Sequence, residues 1–203
     1  PQSFHDKTVQ LIGRRHSVKD FYNAYELVRK SRIPVVNVDL IIGLPQETEQ
    51  EIAYSLEQAV KLAPENLTVH TLTLKRSAPL FQKQEQTVLT TQAAEKMVQR
   101  AAEMAAAIGL EPYYLYRQHY MLGHLANIGY AKPGTESIYN IQMMEERHPV
   151  IGVGPASASK VPLPDGHHLH KLNMPKNVAV YGARLQELAE RRRDLFNIEG
   201  TDL

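Results

Sequence analysis

The stretch Asn37-Val38-Asp39-Leu40-Ile41-Ile42-Gly43-Leu44-Pro45 decides the fold, because it is an apolar run that contains one acid and ends in Gly-Leu-Pro. The residues from Val35 to Ile42 are rich in β-branched side chains and long enough for one strand. Such a strand is typical of a parallel sheet covered by helices on both faces. Asp39 stands where the strand should carry Val or Ile, so its carboxylate needs a polar partner or a ligand. Two interpretations stay open: a structural acid that caps a nearby loop, and a ligand-facing acid near the strand's carboxyl end.

The sequence on both sides of this strand predicts helices and strands in alternation. Ser17 with Asp20, and Thr48 with Glu51, form capping boxes that open helices before and after the strand. Alternating units with short connections favour a parallel sheet or a β/α barrel. The other elements predicted before residue 110 are a short helix at Asp6–Ile12, a strand at Leu67–Leu74 and an alanine-rich helix at Thr90–Ile108 that ends at Gly109.

The regular alternation of predicted helices and strands ends near residue 110. We therefore predict two parts of the chain, residues 1–110 and residues 111–203. The second part has the mixed pattern of a small α+β region. Its predicted elements are a strand at Tyr113–Arg117, a turn at Ala131–Gly134, a helix at Ser137–Arg147, short strands at Val150–Val153 and His167–Leu172, and one amphipathic helix from Asn177 to about Phe196.

The composition is that of an ordinary globular protein, and it excludes several classes of function. The formal net charge of +1 gives no electrostatic case for a nucleic-acid partner. No apolar stretch approaches the roughly 18–20 residues of a membrane span. No signal peptide is visible, and we expect a cytoplasmic protein. The chain starts at Pro1 rather than Met, which favours a trimmed or partial chain, and it has no cysteine to ligate a metal or an iron–sulfur cluster.

Three further motifs are weaker candidates for chemistry. Gly152-Val153-Gly154-Pro155-Ala156 is not a dinucleotide fingerprint, so a tight turn is favoured over a phosphate site. The histidines within His167–His170 favour an exposed polar hairpin over a metal site, because no further ligand stands nearby. A group of tyrosines favours core packing over substrate stacking. Its members are Tyr113, Tyr114, Tyr116, Tyr120 and Tyr130.

Arg14 and Asp39 are the strongest binding candidates. An arginine in a loop can anchor a carboxylate, and an aspartate at the end of a strand can accept hydrogen bonds from ribose hydroxyls. His70 lies in an apolar strand, where it is either a satisfied core histidine or a ligand-facing residue near the strand's carboxyl end. These residues predict an α/β enzyme with a ligand site at the carboxyl edge of its sheet.

Five motifs, taken in order, resemble the oxygen-independent coproporphyrinogen III oxidases. The first three resemble the second half of a radical S-adenosylmethionine (SAM) domain, and the last two resemble that family's segments after the barrel. Pro112–Gln118 is most similar to the HemZ-type branch of that family. The five motifs are Pro1–Phe4, Gly13–His16, Asn37–Pro45, Tyr130–Asn140 and Ile151–Ala156. The resemblance covers nearly the whole chain. It implies the C-terminal half of a partial β/α (TIM-like) barrel over residues 1–110, from the end of strand four to helix six, and the family's α+β extension over residues 111–203.

The resemblance also implies which residues contact SAM. Arg14 would pair with the methionine carboxylate, and Asp39 would accept from the ribose hydroxyls. The other implied contacts are Gln2 to the ribose, Ile41 against adenine or ribose, and His70 and Thr73 at the wall around adenine.

The chemistry that the resemblance implies is oxidative decarboxylation. A reduced [4Fe-4S] cluster cleaves SAM, and the resulting 5′-deoxyadenosyl radical takes a hydrogen from a propionate of coproporphyrinogen III. Loss of carbon dioxide and an electron leaves a vinyl group. The implied partners are therefore the porphyrinogen substrate and an electron donor for the cluster.

The chain departs from the family in lacking the Cys-x3-Cys-x2-Cys cluster motif and the first three barrel strands. We therefore expect no catalytic residue and no metal ligand here, and we place the cluster in a longer parent protein. An incomplete barrel leaves a sheet edge unpaired, which favours association. Two alternatives stay open: a haem chaperone that resembles the oxidase, and a cluster-free module that binds a nucleotide or a partner.

Overall fold

The structure, a computed structural model, describes residues 1–73, 88–117, 125–163, 165–166 and 168–197. The predicted positions Leu74, Gln118, Tyr120 and His167 lie outside these ranges. The chain divides into two compact units, Pro1–Ile141 and Gln142–Leu203. The change of pattern that the sequence predicts at residue 110 therefore lies inside the first unit.

The first unit is built on one four-stranded sheet with the strand order β1-β2-β4-β3. The strand β1 is parallel to β2, whereas β4 is antiparallel to both β2 and β3. The sheet is therefore mixed, and its parallel part is the βαβ unit that the sequence predicts. In chain order its elements are α1 (Asp6–Leu11), α2 (Val18–Lys30), β1 (Asn37–Ile42), α3 (Glu49–Lys61), β2 (Asn66–Thr71), α4 (Thr91–Ala107), β3 (Glu111–Tyr116) and β4 (Asn127–Ala131). The helix α5 (Ile138–Glu145) begins in this unit and ends in the second.

Both predicted capping boxes are present. The Ser17 hydroxyl accepts from the Asp20 N–H at 3.1 Å, and the Asp20 carboxylate accepts from the Ser17 N–H at 2.8 Å. Thr48 and Glu51 make the same reciprocal pair at the start of α3. Such pairs satisfy N–H groups that have no partner within the helix. The helix α4 ends where the sequence predicts, before Gly109, which takes a positive φ of 76°.

The core lies on one face of the sheet. Val38, Leu40 and Ile42 are buried and pack in one cluster with apolar side chains of α2, α3 and α4. The alternate residues of β1 point the other way, and the Asp39 side chain is 43% exposed. The prediction of a strand buried on both faces was therefore wrong, because burial along β1 follows the two-residue period of a strand with one face in the core.

The second unit contains a hairpin and two helices. The strands β5 (Ala158–Pro162) and β6 (Leu169–Asn173) are antiparallel, which confirms the predicted exposed hairpin around His168 and His170. The prediction of a strand at Val150–Val153 was wrong, because only Val150 forms a bridge, with Lys160. The Gly152–Ala156 motif is a turn, as predicted, and Gly154 has a φ of 92°.

The last predicted helix is two helices, α6 (Val178–Ala183) and α7 (Leu185–Phe196). They are separated at Arg184, whose φ of −111° and ψ of 15° fall outside the helical region. The Arg184 N–H bonds to the Tyr181 carbonyl three residues back, which tightens the last turn of α6 and ends it. Leu188 of α7 then packs on Leu172 of β6.

Candidate nucleoside-binding cleft

One cleft of about 330 Å³ lies towards the carboxyl ends of β1 and β2. Its size falls in the range of roughly 300–1,000 Å³ that is usual for small-molecule sites. All six residues that the resemblance assigns to SAM line this cleft, although they come from four separate segments of the chain. The lining residues are Gln2, Arg14, Asp39, Ile41, His70, Thr71, Leu72, Thr73 and Asn127.

Gln2 is held against the outer side of β1 by its backbone. Its N–H donates to the Asp39 carbonyl at 3.0 Å, and its carbonyl accepts from the Ile41 N–H at 2.9 Å. Gln2 has a φ of 69°, a left-handed conformation that costs a non-glycine residue about 1–2 kcal/mol. This strained residue therefore sits directly beside the two predicted cofactor contacts on β1.

The segment that carries Gln2 is anchored by Glu47, which the sequence analysis missed. Glu47 lies in the loop after β1 and is only 1% exposed. Its carboxylate accepts from the Ser3 hydroxyl, and the Thr8 side chain also hydrogen-bonds to it. Burial raises the pKa of the Glu47 carboxyl, and these hydrogen bonds oppose that shift. A buried acid in a loop has no sequence signal of its own, because its partners are about forty residues away along the chain.

Arg14 lies just after α1 and is exposed. Its backbone N–H donates to the Val9 carbonyl at 3.0 Å, and Val9 is fully buried, so the end of α1 sets the position of the arginine backbone. No ion pair to Arg14 is formed by the residues that the structure describes. The guanidinium is therefore available to an anionic group in the cleft.

Asp39 makes two contacts with polar side chains. Its Oδ1 accepts from Asn37 Nδ2 at 2.7 Å and lies 3.9 Å from His70 Nε2. No further hydrogen bond to this carboxylate comes from the described part of the chain. Because a carboxylate has about four acceptor positions, Asp39 can still accept from a ligand. Ile41, the next residue on the same face of β1, adds an apolar surface beside it.

The tyrosine group does not behave as one cluster. Tyr130 is buried in the core, as predicted, whereas Tyr116 is 39% exposed. Tyr113 and Tyr114 are half-buried, with ring centroids 4.8 Å apart. Among the described residues, no group of three or more histidine, aspartate or glutamate side chains is placed to hold a metal ion. No helix within the same ranges is long and apolar enough to span a membrane.

Comparisons with known proteins agree with this fold. No protein-family model matches the chain. The chain is 39% identical over 193 residues to the oxygen-independent coproporphyrinogen-III oxidase-like protein HemZ of Bacillus subtilis, with 95% of this chain and 38% of that protein covered. The predicted resemblance is confirmed. The chain is thus similar to one stretch of a longer HemZ-like protein.

Two further comparisons place the resemblance in a wider group. The heme chaperone HemW of Escherichia coli is 26% identical over 168 residues, covering 83% of this chain and 41% of that protein. The solved structure of the radical SAM coproporphyrinogen III oxidase HemN of Escherichia coli matches with a TM-score of 0.65 at 16% identity, over 92% of this chain and 42% of that one. This match confirms the predicted fold class, part of a radical SAM α/β fold. The chain spans about two fifths of the length of these relatives.

Proposed function

We propose that the intact protein is a radical SAM oxidoreductase of the coproporphyrinogen oxidase type, and that this chain supplies part of its SAM-binding cleft. The observation that carries the proposal is the convergence of Gln2, Arg14, Asp39, Ile41, His70 and Thr73 on one cleft. The similarity to HemZ over 95% of the chain supports the same function. The proposed reaction is oxidative decarboxylation of coproporphyrinogen III propionates to vinyl groups. An external electron donor reduces the cluster, and an electron acceptor takes the electron that is released with each carbon dioxide.

The residues of the cleft fit SAM chemically. Arg14 offers a cation without an ion-pair partner in the described part of the chain, and this suits the carboxylate of the methionine moiety. Asp39 offers free acceptor positions, which suit the ribose hydroxyls. Ile41 offers an apolar surface for the flat face of the nucleoside. Arg14, Asp39 and Ile41 thus match the carboxylate, the ribose diol and the flat nucleoside ring of one SAM molecule.

When bound beside a reduced iron–sulfur cluster, SAM supplies the radical chemistry of hydrogen abstraction. The residues of this chain bind and orient it. The chain contains no cysteine, so it supplies no thiolate for a [4Fe-4S] cluster. We therefore place the cluster ligands elsewhere in the intact protein.

Binding of S-adenosylhomocysteine to the intact protein, measured by calorimetry, tests the proposed site. Arg14→Ala should weaken binding by about tenfold or more, because a hydrogen-bonded ion pair is lost. The same variant should bind methylthioadenosine, which has no carboxylate, about as well as the wild type does. Arg15→Ala is the matched control, since Arg15 is also exposed but does not line the cleft. Equal losses for both ligands, or equal losses for both variants, would contradict the assignment of Arg14.

A haem chaperone is the second candidate function, and the similarity to HemW over 83% of the chain favours it. The two functions differ in their products. An oxidase converts coproporphyrinogen III to vinyl-bearing porphyrinogen, detected by chromatography after oxidation, with one carbon dioxide released per vinyl group. A chaperone binds haem and transfers it to an acceptor protein with no such conversion. Haem transfer without decarboxylation by the cluster-loaded intact protein would replace the oxidase proposal.

A further inference from the structure

A chain of hydrogen-bonded side chains runs across the sheet and ends on Asp39. The Thr68 hydroxyl donates to Asn37 Oδ1 at 3.0 Å, and Asn37 Nδ2 donates to Asp39 Oδ1 at 2.7 Å. Thr68 lies directly opposite Asp39 in the parallel pairing of β1 and β2. Thr68 is buried, whereas Asn37 and Asp39 remain accessible on the face of β1 that points away from the core.

The Thr68 hydroxyl determines which way the Asn37 amide faces. The two ends of an asparagine amide have almost the same shape, so their orientation is set by hydrogen-bond partners. A hydroxyl that donates to the amide oxygen leaves the NH₂ end for Asp39. Without that donor, the amide can turn its oxygen towards the carboxylate, where two acceptors would repel one another.

Tyr114 adds a fourth side chain to this group. Its hydroxyl is hydrogen-bonded to Thr68, and Asp39 is close enough to act on it electrostatically. The side-chain contacts therefore run across the sheet from Tyr114 through Thr68 and Asn37 to Asp39.

Gly129 allows Tyr114 to reach Thr68. In the sheet, Gly129 lies between the two, paired with Thr68 on one side and with Tyr114 on the other. A Cβ atom at Gly129 would lie 1.9 Å from Cε1 of the Tyr114 ring, so the ring rests on the backbone of β4. A side chain at position 129 would block this path, and glycine leaves it open.

We propose that Asn37, Thr68 and Tyr114 are positioning residues that hold the Asp39 carboxylate in the orientation that accepts the ribose diol of a nucleoside ligand. The inference rests on the proposed function, because it takes Asp39 as the ribose acceptor. Asn37, which Thr68 and Tyr114 support, occupies one acceptor position of Asp39 Oδ1. The second carboxylate oxygen, Oδ2, is left for the ligand. They act through Asp39 and need no contact with the ligand themselves.

The first test compares two ligands in the intact protein: S-adenosylhomocysteine and its 2′,3′-dideoxy analogue, which lacks both ribose hydroxyls. Thr68→Val keeps the shape of the side chain and removes its hydroxyl. We expect this variant to bind S-adenosylhomocysteine about fivefold more weakly, which is the effect of losing roughly one hydrogen bond. Its affinity for the dideoxy analogue should stay unchanged. Thr68→Ser should restore the wild-type preference. A purely structural defect would weaken both ligands equally.

A second pair of variants keeps the test valid if Thr68→Val does not fold. Tyr114→Phe removes a single oxygen and should reduce the preference for the diol in the same direction. Tyr116→Phe is its matched control, because Tyr116 stands two residues further along the same strand and does not line the cleft. Equal behaviour of the two phenylalanine variants would remove Tyr114 from the proposed chain.

The pH dependence of binding gives an independent measurement. Asn37→Asp places a second carboxylate against Asp39, and like charges at this distance raise the apparent pKa of the pair. The facing groups are His70 and Thr68 on β2, Tyr114 on β3, Arg14 in the cleft and the Pro1 amino group. As the pH falls, this variant should therefore lose S-adenosylhomocysteine at a higher pH than the wild type. Identical pH profiles would overturn the inference.

The outcomes separate this inference from the proposed function. If the intact wild-type protein does not bind S-adenosylhomocysteine, the proposed function is wrong and the inference is lost with it. If the wild type binds and Asp39→Ala weakens binding, while Thr68→Val, Tyr114→Phe and Asn37→Asp all bind as the wild type does, the inference alone is wrong.

Discussion

Replacing Gly129 by alanine should destabilise the first unit through one contact. The three atoms nearest to an added Cβ all belong to the Tyr114 ring, at 1.9, 2.4 and 2.8 Å. Ordinary van der Waals contact begins at 3.4 Å, so the ring has to move by about 1.5 Å, the difference between 3.4 and 1.9 Å. That movement also breaks the hydrogen bond between Tyr114 and Thr68.

The expected cost follows from these displacements. Overpacking of this kind costs about 1–3 kcal/mol, and the lost hydrogen bond adds about 1 kcal/mol. Alanine in place of glycine within a strand recovers roughly 0.5–1 kcal/mol of chain entropy. We therefore expect Gly129→Ala to lower the free energy of unfolding by about 1–3 kcal/mol.

A double-mutant cycle, followed by urea denaturation of the intact protein, checks this explanation. In a Tyr114→Ala background the overlap is absent, so Gly129→Ala should be neutral or slightly stabilising, with a coupling energy of about 1–3 kcal/mol. Gly182→Ala is the matched control, since Gly182 lies in α6 with no atom within 4 Å of an added Cβ. That variant should gain up to about 1 kcal/mol from helix propensity. The same loss for Gly129→Ala in both backgrounds would refute the assigned contact.

Three further variants test the two acids Glu65 and Glu47 and one helix cap by urea denaturation. Burial raises the pKa of the Glu65 carboxyl, but hydrogen bonds from Arg29 and the Val36 N–H outweigh burial and hold the pKa below its ordinary value. The ionised Glu65 therefore stabilises the fold at neutral pH, and this stabilisation is lost as the pH falls. Glu65→Gln should cost about 1–3 kcal/mol at pH 7 and approach the wild type in acid, and a pH-independent loss would contradict this. Burial raises the pKa of the Glu47 carboxyl, so its ionisation destabilises the fold as the pH rises. Glu47→Gln should therefore gain stability relative to the wild type as the pH rises from acid to neutral, and a difference that does not change with pH would contradict this. Thr48→Ala removes a capping box and should cost about 1 kcal/mol, with no loss expected for Thr91→Ala beside the cap of α4.

Local features of the chain were predictable because their physics acts over a few residues. The capping boxes at Ser17 and Thr48 join groups three positions apart, and the turn at Gly109 depends on the positive φ of a single residue. The strand β1 was placed to within two residues at its start and correctly at its end. The assignment of cleft residues came from resemblance, and their roles remain predictions.

Features that depend on distant contacts were not predictable in the same way. The burial of Glu47 depends on Ser3, 44 positions away along the chain. The helix break at Arg184 has no proline to mark it in the sequence. The strands β3 and β4 follow the predicted change of pattern at residue 110, yet they complete the same sheet as β1 and β2. Strand neighbours are selected by packing across the sheet, which a linear pattern does not contain.

Asp39 shows which properties the sequence determines and which only the tertiary structure determines. The sequence alone determined that a carboxylate interrupts an apolar strand and therefore requires a polar partner or a ligand, because an unpaired charge in a core is too costly. Only the tertiary structure decided that the carboxylate faces the cleft instead of the core, beside Asn37 and opposite Thr68. Strand register made that decision, since a shift of one residue would exchange the two faces of β1 and bury the acid.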